Sequence, residues 1–166
     1  MARRTDASAA GTPATLALAR AGIPFTALAY EHDPRAQAYG LEAAEKLGLD
    51  PARVFKTLLA QLDRELAVGI VPVDCQLDFK ALAASLGGKR AEMADPRLAE
   101  RKTGYVVGGI SPIGQKTALP TVLDESAILC ETIYVSGGRR GLDLELAPDD
   151  LLAVTAGRYA AIARDR

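Results

Sequence analysis

Apolar residues fall along the chain in short blocks parted by turn-prone residues, and each block predicts an element. Thr12-Pro13 reads as the N-cap and first residue of an Ala/Leu-rich helix that Gly22 stops. Residues 25–30 predict a strand, and the polar segment Glu31-His32-Asp33-Pro34 predicts a turn after it. Residues 41–47 have helical spacing, with Gly48 as the cap. Two apolar runs, 54–62 and 66–73, are parted by Asp63-Arg64-Glu65 and predict an antiparallel hairpin. Asp78 can cap a helix to Leu86 ended by Gly87-Gly88, and Asp95-Pro96 opens another that reaches about Lys102.

After Lys102 the texture changes. Residues 103–114 (TGYVVGGISPIG) are too rich in Gly, and too interrupted by Pro112, to form one regular element. Residues 121–123, 132–136 and 142–146 predict strands, the last two joined by a turn through Gly137-Gly138-Arg139-Arg140-Gly141. Pro148 starts a helix, and residues 159–163 fit either strand or helix. Hairpin signals outnumber strand–helix–strand units, so a mixed sheet or barrel is expected rather than a doubly wound fold. Residues 1–11 are small, polar and unpatterned and are expected to form a mobile extension, leaving 12–166 as one domain.

Composition narrows the chemistry. Of 166 residues 49% are apolar, with three Phe, five Tyr and no Trp, so the core is expected to be aliphatic. Twenty Lys and Arg against 21 Asp and Glu give a net charge of −1, which argues against a broad positive field for non-specific nucleic-acid binding. The single histidine, His32, excludes a His-cluster metal centre, and no metal or cofactor is expected. A Ser-His-Asp or Cys-His hydrolase would have to use that one residue. Cys75 and Cys130 are too few for a zinc tetrad and fit a disulfide scaffold poorly; two buried thiols in a cytoplasmic protein are expected. No stretch has the length of a membrane span or the apolar core of a signal peptide, so no membrane partner is expected.

Several residues are candidates for chemistry. The run from Gly109 to Thr117 (GISPIGQKT) nearly spells a phosphate-binding P-loop, but Gln115 separates Gly114 from Lys116 and Pro120 disfavours a following helix. The triphosphatase reading is therefore rejected, leaving a tight turn or a loop that offers backbone N–H groups to an oxygen. Lys56, inside an apolar run, is either a lysine snorkelling from an edge strand or a cation held over an apolar cleft. His32 is either a turn histidine or a general base. Asp143, which shares a strand face with Glu145, is either solvated or a carboxylate that recognises an amine. Arg97, Arg101, Lys102, Lys116, Arg139 and Arg140 are either an anionic-ligand rim or scattered surface charge.

Five segments together resemble one family. They are Tyr30-Glu31-His32-Asp33-Pro34, Val54-Phe55-Lys56-Thr57-Leu58, Glu92-Met93-Ala94-Asp95-Pro96, residues 103–116, and residues 132–143 (TIYVSGGRRGLD). In this order and without large gaps they are similar to the YbaK/EbsC proteins, bacterial Cys-tRNA(Pro) deacylases related to the editing insertion domain of prolyl-tRNA synthetase.

The resemblance implies a single α/β (α+β) domain whose mixed, mostly antiparallel sheet closes into an irregular barrel with flanking helices. It implies release of cysteine mischarged onto proline tRNA, acting in trans with prolyl-tRNA synthetase as a transient partner and possible activity on Cys-tRNA(Cys). The family's essential lysine falls on Lys56, with Thr57 beside it. The Gly-Gly-x-Ser-Pro loop falls on Gly108, Gly109, Ser111 and Pro112, with Gly108 the candidate backbone donor. The pocket tyrosine falls on Tyr30, the serine of the Ser-Gly-Gly turn on Ser136, and the strand aspartate on Asp143. Tyr39 stands where the family has Phe. The implied mechanism is substrate-assisted: the cysteinyl thiol attacks its own ester, so neither a serine nucleophile nor a histidine base is needed. Lys56 would then anchor the terminal adenosine or its ester. A deacylase for another small aminoacyl group, such as Ala-tRNA(Pro), and a non-catalytic tRNA- or synthetase-binding module are the alternatives.

Overall fold

Local signals set the element ends. Helix α1 (Pro13–Ala21) starts at Thr12, whose hydroxyl accepts from the Thr15 N–H at 3.2 Å while Thr15 Oγ1 accepts from the Thr12 N–H at 3.0 Å. This reciprocal capping box, with Pro13 behind it, satisfies donors that a helix start leaves open. Gly22 ends the helix in a left-handed conformation, φ +68°. The computed structural model describes residues 3–5 and 11–165. Of the expected N-terminal extension, residues 1, 2 and 6–10 lie outside the described residues. Arg3–Thr5 forms strand β1, antiparallel to β2 (Thr26–Ala29).

Helix α2 (Tyr39–Leu47) starts two residues before the predicted one. The predicted hairpin is β3 (Phe55–Leu62) and β4 (Glu65–Pro72), paired along their full length from Phe55↔Pro72 to Leu62↔Glu65. Asp63 makes the turn with φ +51°, and its carboxylate accepts from the Lys89 and Arg90 N–H groups at 3.1 and 3.0 Å. Next come β5 (Cys75–Leu77), α3 (Phe79–Ser85), β6 (Ala91–Met93) and α4 (Pro96–Thr103). Beyond the Gly-rich segment lie β7 (Thr121–Asp124), β8 (Ile133–Ser136), β9 (Leu142–Leu146) and α5 (Pro148–Thr155). The ambiguous C-terminal stretch resolves into two short strands, β10 (Arg158–Ala160) and β11 (Ala163–Asp165).

The strands form three sheets, ordered β1-β2-β9-β8, β10-β7-β4-β3-β6 and β11-β5. Among the described residues every pairing is antiparallel except β4–β7 and β7–β10. This is the expected mixed α/β domain, but the expected barrel is not closed: the sheets are open. Among the described residues the backbones of the two larger sheets are bridged at one point, the isolated parallel bridge Val54↔Tyr134. The segment that would have to extend the seam, residues 104–120, carries four Gly and two Pro and supplies no strand.

Packing follows the open design. The main core lies between the larger sheets and helices, and includes Leu18, Phe55, Ile70, Leu123, Leu144 and Leu151. It is aliphatic, as the composition requires. A second cluster, including Val71, Leu77, Leu82 and Ile162, sits on the other face of the five-stranded sheet. Both cysteines are free and half-buried rather than buried. Among the described residues, no helix is long and apolar enough to cross a membrane.

Candidate active site

The unfinished seam between the sheets is where a cavity forms. Strand β6 pairs with β3 only at Ala60, Gln61 and Leu62, so residues 55–58 of β3 have no strand on that side among the described residues. Consecutive β3 residues, Lys56 and Thr57 included, therefore line a cavity of about 330 Å³. That size is in the range of small-molecule sites, roughly 300–1,000 Å³. Phe55, Leu58, Leu59 and Val73 make an apolar back wall.

Helix α2 approaches this wall closely because its second residue is glycine. A methyl group at Gly40 would lie 2.4 Å from Val73 Cγ1, so a larger residue would push the helix off the strands. Gly40, absent from the sequence-derived site, lines the cavity beside Tyr39.

Polar groups come from opposite sides. Ser136 of β8 and Asp143 of β9 are cross-strand partners. Asp143 is 5% exposed, and burial pushes its carboxyl up to about 7. Tyr30 sits next along, its N–H donating to the Gly141 carbonyl at 2.9 Å. Burial, reinforced by the Asp143 charge, raises the Tyr30 phenol well above its usual range, so it stays protonated and able to donate. Across the cavity the Thr57 hydroxyl oxygen is enclosed and has no hydrogen-bond partner among the described residues. Such an orphan costs free energy unless a ligand completes it.

The loop that carries Gly108 is held at several points. The Val107 N–H donates to Glu100 Oε2 at 2.9 Å, and the Gly109 N–H to the Val106 carbonyl at 2.9 Å. Arg140 donates to the Val107 carbonyl through Nε and Nη2, at 3.0 and 2.6 Å, and its guanidinium lies 4.9 Å from the Tyr39 ring centroid. Gly108 has φ +88°, and a methyl there would lie 2.9 Å from both Tyr39 ring carbons and Arg140 Nε. Only glycine fits.

Of the sequence-derived site residues, Tyr30, Tyr39, Lys56, Thr57, Gly108, Ser136 and Asp143 line this one cavity, and Gly109, Ser111 and Pro112 do not. Gly109 is buried against the Arg139 backbone, where an added methyl would sit 2.8 Å from Cα. Ser111 is fully buried, its Oγ accepting from the Ile113 N–H at 3.2 Å, and Pro112 is buried next to it. These residues shape the loop from behind. His32 is outside the cavity lining: its Nδ1 is 2.7 Å from Glu42 Oε1, whose other oxygen accepts from the Asp33 N–H at 2.8 Å. It fastens the turn after Tyr30 to α2. Of the six basic residues considered as a rim, Arg139 lines the cavity and Arg140 grips its loop.

The model of the aminoacyl-tRNA editing domain matches residues 34–154. An Enterococcus faecalis protein, EbsC, named as a proposed Cys-tRNA(Pro)/Cys-tRNA(Cys) deacylase, is 42% identical over 120 residues, 72% of this chain and 73% of that one. The proline–tRNA ligase of Maridesulfovibrio salexigens is 31% identical over 100 residues, which cover 60% of this chain and 17% of the ligase. A solved structure described as a proposed trans-editing enzyme for prolyl tRNA synthetase superposes with a TM-score of 0.77 at 22% identity, covering 96% of this chain and 98% of that one. At that identity the likeness concerns the fold alone. With the editing-domain model spanning the elements that build the cavity, the chain belongs to the aminoacyl-tRNA editing domain family.

Proposed function

We propose that this protein is a trans-editing deacylase that releases cysteine from mischarged Cys-tRNA(Pro), and that the cavity at Lys56 and Gly108 is its active site. The observation that carries the reading is the convergence of Lys56, Gly108, Ser136 and Asp143, from separate elements, on one cavity sized for an aminoacylated tRNA end. The 42% identity to EbsC supports the substrate class. Prolyl-tRNA synthetase is the expected transient partner, in the cytoplasm, where tRNA is charged.

The chemistry uses the substrate's own sulfur. The cysteinyl thiol loses its proton and attacks the ester carbonyl carbon, forming a C–S bond. The C–O bond to the ribose breaks, and the ribose oxygen takes up a proton. The products are a thiolactone and tRNA with a free terminal hydroxyl, so atoms and charge balance without water or another nucleophile. Negative charge on the carbonyl oxygen falls to the Gly108 N–H, and a backbone donor of this type contributes roughly 3 kcal/mol to such a transition state. Lys56 anchors the terminal adenosine or its ester, and Asp143 with Ser136 receives the cysteinyl ammonium. Thr57 offers its unpartnered hydroxyl to the same ligand.

The test is a deacylation assay on Cys-tRNA(Pro) with products identified by mass. Release of tRNA with a thiolactone supports the reading, whereas no release above the uncatalysed rate overturns it.

A further inference from the structure

In the run 107–109 the backbone N–H groups have unequal fates. Val107 donates to Glu100, Gly109 donates to Val106, and Gly108 donates to no acceptor among the described residues. The peptide unit that carries the Gly108 N–H also carries the Val107 carbonyl, and no peptide bond of the described chain is cis. In a trans unit the C=O and N–H point in opposite directions. A group that grips the carbonyl therefore also aims the N–H.

Arg140 is that group. Two of its nitrogens converge on the Val107 oxygen, and its guanidinium is braced over the Tyr39 ring. A charged donor on a carbonyl draws electron density from the amide, which makes the N–H of the same unit a stronger donor. Gly108 itself, at φ +88°, offers little resistance to rotation of that unit, because glycine populates both signs of φ. Glu100 on the Val107 N–H and Arg140 on the Val107 carbonyl thus clamp the residue from two different elements.

We infer that Arg140 is a positioning residue for the deacylation: by holding the Val107 carbonyl it sets the 107–108 peptide and presents the Gly108 N–H to the ester oxygen. This rests on the deacylase reading given above. Arg140 contacts the loop rather than the reacting atoms, so its loss affects the transition state and leaves ground-state binding nearly unchanged.

The test combines steady-state kinetics on Cys-tRNA(Pro) with the amide resonance of Gly108 in ¹⁵N-labelled protein. Arg140→Gln is expected to lower kcat by about 10- to 100-fold with KM within twofold, less than the roughly 100- to 1,000-fold that outright removal of one oxyanion donor costs, because the Gly108 N–H is misaimed rather than lost. The Gly108 resonance is expected to shift and broaden while amides elsewhere hold. Arg140→Lys, which keeps the charge and a single donor, is expected to restore part of kcat and of the resonance. An unchanged kcat in Arg140→Gln overturns the inference. So does a loss confined to KM with a shallower salt dependence, which would make Arg140 a phosphate contact. So does a loss of kcat with the Gly108 resonance unmoved. Should the wild-type protein release no cysteine, the deacylase reading fails instead, and the Gly108 resonance alone still decides whether Arg140 sets that peptide.

Discussion

Ser136 and Asp143 face each other across the β8–β9 ladder, so a single hairpin carries both polar groups at one wall of the cavity. Lys56 and Thr57 come from a different sheet. The site is thus split between two sheets that, among the described residues, are joined by a single bridge.

Lys56→Ala is expected to abolish deacylation, by at least about 100-fold, without unfolding the protein. The side chain is half-buried on the part of β3 that β6 does not reach, so its removal opens space at the cavity and leaves the core packing in place. Circular dichroism and a thermal melt beside the kinetics check both halves.

Asp143→Asn separates stability from activity. Burial raises the Asp143 carboxyl from 3.8 to about 7 in the folded state. The folded protein therefore keeps a proton that the unfolded chain releases, and the stability this group contributes is complete below about 3.8 and lost as pH rises through about 7. Thermal melts are expected to show the Asn variant matching wild type near pH 4 and exceeding it at pH 8, by on the order of a few kcal/mol. Activity is expected to run the other way: in the proposed role of Asp143 it is the ionised carboxylate that holds the substrate ammonium, so wild-type kcat/KM should rise through pH 7 and the variant should lack that rise.

Gly108→Ala is expected to destabilise the fold by about 1–2 kcal/mol, because a residue with Cβ resists φ +88°. The added methyl also collides with Tyr39 and Arg140, so activity should fall further than stability. Comparing urea denaturation with turnover for this one variant measures both effects.

A Cys-tRNA(Pro) whose cysteinyl sulfur carries a methyl group is expected to bind and stay intact. Normal turnover of that substrate would assign the attack to water. Alanyl and seryl esters measured alongside it would show whether the cavity selects the thiol or merely the size of the side chain.

Much of the fold was legible because the chain marks its own boundaries. Thr12-Pro13, Gly22, Gly48 and Asp95-Pro96 all stand at helix ends, and the long β3–β4 hairpin follows its two apolar runs. Strands β5, β6, β10 and β11 have three residues each, too few to show a period, and form because a longer neighbour or the chain end is at hand. The barrel expectation carried hairpins to closure, and the Gly- and Pro-rich segment stopped them short. In the site, a continuous motif from Gly108 to Pro112 masked a change of direction: Gly108 faces the cavity, and Ser111 turns into the core. Arg140 was one basic residue among six because its significance depends on Val107, 33 positions away in sequence. Gly40 was invisible for the same reason, since only the third dimension brings Val73 against it.

The incomplete seam divides the labour of the molecule. Its back wall is built from strand residues that also support the fold, whereas the front is a helix start, a glycine loop and a hairpin turn. Mutational drift in the front can retune which cargo is accepted while the scaffold endures, so proofreading preferences in such a domain are free to diverge faster than its architecture.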